Sequence, residues 1–197
     1  MKKASTKDWK VILPIVLSLL SFSTYLVTIA PTLTWRNDGA DGGDLIAAAY
    51  TLGIPHPTGY PVYIMLAKLF TLLPVGDVAY RVNLMSAFFA AATVGLIYFI
   101  VLGLCELSPW AGEADKREYI SSVAASTAAL AFAFSPTFWS QATIAEVYSL
   151  NAFFVALLLY LLLKWMADSK QQRAASVIQP PASCLLLAAL TYGLSLG

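Results

Sequence analysis

The sequence predicts an all-α polytopic membrane protein, with about five transmembrane helices and interfacial helices in its first outer loop. Three observations carry this. Of 197 residues, 59% are apolar and only 12% charged, against roughly 45–50% and 25% in soluble domains. Mean hydropathy is +0.72. The apolar residues also gather in runs near the roughly 20 residues that cross a 30 Å hydrocarbon core. This composition excludes a disordered chain, a nucleic-acid binder and an ordinary cytosolic enzyme. A net charge of +1 supplies no global field, and two cysteines are too few for a disulfide scaffold.

The first run is Val11 to Ala30, uncharged, with Pro14 read in its first turn, where proline is tolerated. It is longer than the apolar core of a signal peptide and reads as an uncleaved helix. Leu84 to Leu104 is the second run. Ile120 to about Trp139 is the third, interrupted near its end by Pro136. Val147 to Leu163 is the fourth, closed by Lys164 and Trp165 at an interface position. Ala182 to Gly197 begins a fifth. Tyr60 to Leu73 is apolar but short and contains Lys68, which suits an interfacial or re-entrant helix rather than a span.

Basic residues set the orientation. With the N-terminus cytoplasmic, nine fall inside (Lys2, Lys3, Lys7, Lys10, Lys116, Arg117, Lys164, Lys170, Arg173) and three outside (Arg36, Lys68, Arg81), as the positive-inside rule requires. Cys105 and Cys184 then lie at inner helix ends as reduced thiols. The chain reads as a single transmembrane domain over residues 1–197, with residues 31–81 as its long outer loop. Residues 135–146 form a short second outer loop.

The long loop holds Asp38, Asp41, Asp44 and Asp77 and the single histidine, His56. Asp44 to Leu52 reads as a short helix, rich in alanine and ended by Gly53. Three aspartates therefore cluster on a glycine-rich turn at a helix N-terminus, which favours their ionised form. An ionised aspartate suits a base that activates a hydroxyl, or a cation ligand. The plainer reading makes Asp41 or Asp44 an N-cap and Asp38-Gly39 a turn. Pro55, Pro57 and Pro61 stiffen the stretch around His56, which reads as a positioned ligand or as a hydrogen-bonded loop histidine. No zinc-ligand spacing is present. Arg81 just before the second run could hold a lipid phosphate or snorkel as an anchor, with Asn83 beside it. In the second loop, Glu146 lies against an apolar helix start. There an acid either faces a cavity or partner, or stabilises the helix dipole.

The segments PTLTW, DGGDLIAAAYTLGIPHPTGYPVY, RVNLMSA and FWSQATIAEVYSLN resemble a family of membrane proteins formerly known only as a domain of unknown function. Its members include an animal protein O-mannosyltransferase, and it is similar to the GT-C superfamily of membrane glycosyltransferases. The motif carrying the likeness is Asp41-Gly42-Gly43-Asp44 followed by His56-Pro57-Thr58-Gly59-Tyr60-Pro61. The resemblance implies an acidic catalytic residue in the first outer loop and a polyprenyl-phosphate sugar donor reached from the membrane. Asp41 matches the family's first acid and Asp44 its second. Asp38 belongs to an extra turn, and Thr58 stands where relatives often have a second proline.

These readings converge on an inverting membrane glycosyltransferase. It would move a mannose-like sugar to an acceptor hydroxyl on the extracytoplasmic face, in the cytoplasmic membrane of a prokaryote or the endoplasmic reticulum of a eukaryote. Asp41 and Asp44 are the expected catalytic residues. His56, Arg81, Glu146, Tyr60 and Asn83 are the expected donor- and substrate-binding residues. A divalent cation is an optional partner, membrane lipids surround the chain, and the acceptor is a protein, lipid or glycan. The alternative is a transporter or lipid carrier using the outer acids to bind a cation or substrate. The fifth run has 16 residues to Gly197, roughly 24 Å of helix, with no interfacial anchor. The expectation is therefore an N-terminal piece of a longer GT-C module.

Overall fold

A computed structural model of the protein describes residues 6–108, 114–174 and 182–195. Lys2, Lys3, Pro180, Pro181 and the chain end at Gly197 lie outside them. Among the described residues there are eight α-helices and no strand. They are α1 (Thr6–Thr28), α2 (Gly42–Thr51), α3 (Pro61–Thr71), α4 (Val78–Leu107), α5 (Ala114–Ala133), α6 (Pro136–Ala142), α7 (Tyr148–Ala174) and α8 (Ala182–Ser195).

Three of these are long and apolar enough to cross a bilayer: Trp9–Thr28, Val78–Leu107 and Tyr148–Lys170. The third expected run is a bent pair, α5 and α6, turning by 64°. Pro136 at the first position of α6 causes the break, because its ring removes an N–H and cannot continue α5. The fifth run forms α8, but its 14 residues rise only about 21 Å. Among the described residues, the helices that meet the length and apolarity of a span number three, or four if the bent pair acts as one. One local expectation is corrected. The polar stretch from Thr6 to Lys10 is itself helical, so Pro14 lies inside α1 and not in its first turn.

The central element is α4, packed against α1, α5 and α7. At one end of the bundle, Lys10 of α1 pairs with Glu106 of α4 at 2.9 Å and lies 3.9 Å from Glu118 of α5. At the other end the Tyr25 hydroxyl donates to the Ala133 carbonyl (2.8 Å), and the Ala30 amide donates to the Thr143 carbonyl (2.9 Å). The long loop with α2 and α3 sits at this second end, together with the start of α7. The alternating course read from the sequence therefore holds for the helix ends. Cys105 and Cys184 are free thiols.

The loop helices are bound to the bundle by an apolar core. Leu45, Ala48 and Ala49 of α2 and Tyr63, Ile64 and Ala67 of α3 pack on Val82 and Met85 of α4 and on Ala145, Leu150 and Phe154. Lys68 explains its own place in an apolar helix: its ammonium donates to the Tyr50 carbonyl at the end of α2 and lies 5.3 Å over the Tyr50 ring. A cation at a helix C-terminus is favourable.

Candidate active site

Asp41 occupies the N-cap position of α2, but its side chain makes no capping hydrogen bond. Its carboxylate is half exposed and lies 3.6 Å from His56 Nε2. Asp44, one helical turn further, reaches across the loop. Its Oδ2 accepts from the His56 backbone N–H (2.8 Å) and from His56 Nδ1 (2.9 Å). These two bonds, the backbone one first, lower the Asp44 pKa below its ordinary value. The Asp44 bond in turn raises the His56 pKa, assisted by the charges of Asp41, Asp44 and Glu146. The imidazole is thus oriented by one carboxylate and presents its other nitrogen to a second.

The local sequence builds this frame. Gly59 has φ +91°, a conformation that residues with a Cβ rarely adopt, and its N–H donates back to the His56 carbonyl (3.0 Å). Tyr60 follows in the left-handed region and caps α3, with Pro61 opening the helix. Its ring packs edge-on against His56 at 5.5 Å. The end of α2 differs from expectation: Leu52, not Gly53, takes the left-handed conformation, while the Gly53 N–H bonds to the Ala48 carbonyl.

Glu146 completes the group from below. It is 3% exposed. Burial raises its pKa, the charge of Asp41 adds to this, and the backbone N–H groups of Val147 and Asp41 with the charge of His56 oppose it. Gly42 brings these residues together. A Cβ on Gly42 would stand 3.3 Å from the Ala145 carbonyl, so glycine lets the first turn of α2 settle closely against the 144–146 segment.

Two expected residues lie elsewhere. The Arg81 guanidinium donates to the carbonyls of Thr71 (2.8 Å), Val75 (2.8 Å) and Gly76 (3.1 Å), beside Asp77 in the turn from α3 to α4. Asn83 is buried and donates to the carbonyls of Ala30 (2.9 Å) and Thr32 (3.3 Å), holding the start of the loop onto α4. The structure therefore unites Asp41, Asp44, His56, Tyr60 and Glu146, and leaves Arg81 and Asn83 as braces of the loop. Asp38 sits in a separate turn at φ +59°. The neighbouring Asn37 exchanges hydrogen bonds with α6, through Ser140 and Gln141.

Sequence reasoning missed Tyr63 and Ser86. The Tyr63 hydroxyl is buried beside the Ser86 side chain and feels the charge of Glu146. Burial first, then that charge, raises its pKa. The Ser86 hydroxyl lies 3.5 Å from the Glu146 carbonyl. The available signal was on α4, where the buried polar residues Asn83, Ser86 and Thr93 recur at the spacing of one helix face. A cavity of about 240 Å³ adjoins this group, between Tyr60 and Tyr63 of α3, Asn151 of α7 and Leu194 of α8. Among the described residues no three His, Cys, Asp or Glu side chains converge as a metal site.

Sequence comparison places this geometry among known proteins. The family model described as "Protein O-mannosyl-transferase TMEM260 N-terminal domain" matches residues 41–197, so its match takes in Asp41, Asp44, His56 and Glu146 but not Asp38. Protein O-mannosyl-transferase TMEM260 of Mus musculus is 34% identical over 180 residues, 91% of this chain and 23% of the relative. Protein O-mannosyl-transferase tmem260 of Dictyostelium discoideum is 31% identical over 140 residues, 70% of this chain and 15% of the relative. The chain thus spans about a quarter or less of the length of these relatives. No solved structure matches it.

Proposed function

The chain belongs to the family of the protein O-mannosyl-transferase TMEM260 N-terminal domain, and from that membership we propose that it carries the catalytic loop of a membrane glycosyltransferase. The observation that carries the reading is the half-exposed Asp41 carboxylate, 3.6 Å from a histidine that Asp44 holds in place. The donor is a polyprenyl-phosphate sugar of the mannose type and the acceptor a hydroxyl, with protein favoured by the relatives' names.

In this reading Asp41 accepts the hydroxyl proton while the acceptor oxygen attacks the anomeric carbon. The bond from that carbon to the phosphate oxygen breaks on the opposite face, so the configuration inverts. A positioned base of this kind contributes roughly 10²–10⁴-fold. The departing lipid phosphate is already anionic and needs positive charge rather than a proton. His56, 3.6 Å from Asp41 and favoured in its charged form by Asp44 and the neighbouring acids, hydrogen-bonds the sugar or phosphate from the side of the base. Asp44 orients His56, Tyr60 packs its ring, and Glu146 sets the backbone of Asp41 from below. Arg81 and Asn83 act on the donor site by fixing the loop. The cavity beside Tyr60 and Tyr63, open toward α7 and α8, suits the lipid end of the donor. The excess of basic residues at the opposite end supports a cytoplasmic N-terminus and an extracytoplasmic loop, lumenal if the membrane is the endoplasmic reticulum.

The test is Asp41→Asn, which removes charge and keeps shape. With saturating donor in membranes making the protein, transfer should fall by at least about 100-fold, while Asp38→Asn keeps most of it. Full transfer by Asp41→Asn rejects Asp41 as the base.

A further inference from the structure

The end of the bundle opposite the acidic loop holds a second cavity, about 550 Å³, between α4 and α7. That volume lies in the range of small-molecule sites. On α7 it is lined by Tyr160, Lys164 and Lys170, and on α4 by Phe99, Gly103 and Glu106. The spacing puts each set on one helix face. Phe99 and Tyr160 stack at 5.7 Å to form an apolar wall. Gly103 widens the space, since a Cβ there would meet nothing within 4 Å.

Charge decides what fits. Among the described residues, Glu106 is the one acid lining the cavity, and Lys10 binds it from outside at 2.9 Å. Lys164 and Lys170 are exposed at the rim and neither appears in an ion pair among the described residues. The groove therefore combines apolar walls with two ammonium groups from the last three turns of α7. We propose that this groove between α4 and α7 binds an anionic phospholipid, one acyl chain lying over Gly103 and the headgroup phosphate meeting Lys164 and Lys170. Basic pockets between membrane helices favour such headgroups. The apolar walls select a lipid over a free phosphate. The site is separate from the acidic loop and holds whether or not that loop transfers sugar.

Native mass spectrometry of the detergent-purified protein tests this, with phosphatidylglycerol and phosphatidylcholine of identical chains as probes. Phosphatidylglycerol should be retained on the order of 10- to 30-fold more tightly. Lys164→Gln with Lys170→Gln should abolish that preference, and Lys116→Gln with Arg117→Gln, outside the groove, should keep it. Gly103→Leu fills empty space and should displace the bound lipid without loss of helicity. Equal retention of both lipids overturns the proposal, as does a preference that survives in the Lys164, Lys170 variant. Lipid still bound to Gly103→Leu overturns it, and so does full displacement by millimolar inorganic phosphate. Absence of any bound lipid, because another polypeptide segment fills the groove, overturns it too.

Discussion

One oxygen of Asp44 accepts both the backbone N–H and the ring Nδ1–H of His56, at 2.8 and 2.9 Å, across 12 residues of chain. This clamp fixes the imidazole tautomer and closes the loop between α2 and α3. His56 is the only histidine in the chain, so its ring resonances can be followed alone.

The clamp gives the first prediction. The His56 pKa is raised and that of Asp44 lowered. A raised histidine contributes stability below its ordinary 6.5, lost as pH rises through the folded value. A lowered aspartate contributes above its ordinary 3.8, lost as pH falls through the folded value. The ionic clamp is therefore complete between those two ordinary values. Asp44→Asn should bring the His56 titration down toward 6.5 in an NMR experiment. An unchanged His56 pKa in that variant would refute the coupling.

Much of this arrangement could be read before any coordinates. Pro55, Pro57 and Gly59 announced a stiff frame around His56, and the Asp41-Gly42-Gly43-Asp44 turn announced acids at a helix start. The apolar runs announced the spans, because bilayer thickness alone sets their length. What stayed hidden depended on three-dimensional approach. Nothing local says that Arg81 turns back to the carbonyls of Thr71, Val75 and Gly76 rather than outward. Nothing local says that Gly42 meets Ala145, over 100 residues away. Pro136 was visible as an interruption, but the 64° bend it causes depends on how α6 docks beside α1.

The second prediction concerns that approach. Gly42→Val should push α2 from the 144–146 segment, since its Cβ would stand 3.3 Å from the Ala145 carbonyl. Overpacking of this kind costs about 1–3 kcal/mol. Gly43→Ala, whose Cβ would meet only Leu33 side-chain carbons at 3.8 Å, should be nearly neutral. Thermal unfolding in detergent separates the two, and equal midpoints would show that the contact does not matter.

The third prediction concerns Glu146. Its raised pKa favours the protonated form in the folded protein, so stability should fall as pH rises through that folded value. Glu146→Gln is neutral at every pH and should flatten that fall above the ordinary 4.5. Glu146→Ala instead empties the buried space that the side chain fills and should lower stability at every pH. Unfolding midpoints of the three proteins across this pH range decide it. A Gln variant as pH-sensitive as the parent counts against a Glu146 pKa raised by burial.

The last prediction asks what Arg81 does. Its guanidinium makes three bonds to backbone carbonyls of one turn, and bonds from a charged donor contribute about 1.5–3 kcal/mol each when the partner is buried. The Thr71 carbonyl is the partner at the buried end of α3, so Arg81→Gln should destabilise the protein by an amount near one such bond. Residues 72–77 should then become open to limited proteolysis. A residue that met the donor phosphate directly would behave differently. Its loss would raise the donor KM and leave the unfolding midpoint and cleavage pattern unchanged. Arg81→Lys separates the cases further. Lysine restores a charge for a phosphate but cannot reach three carbonyls from a planar fork, so the brace should fail in Arg81→Lys as it does in Arg81→Gln. Recovery of the unfolding midpoint by lysine would contradict the brace.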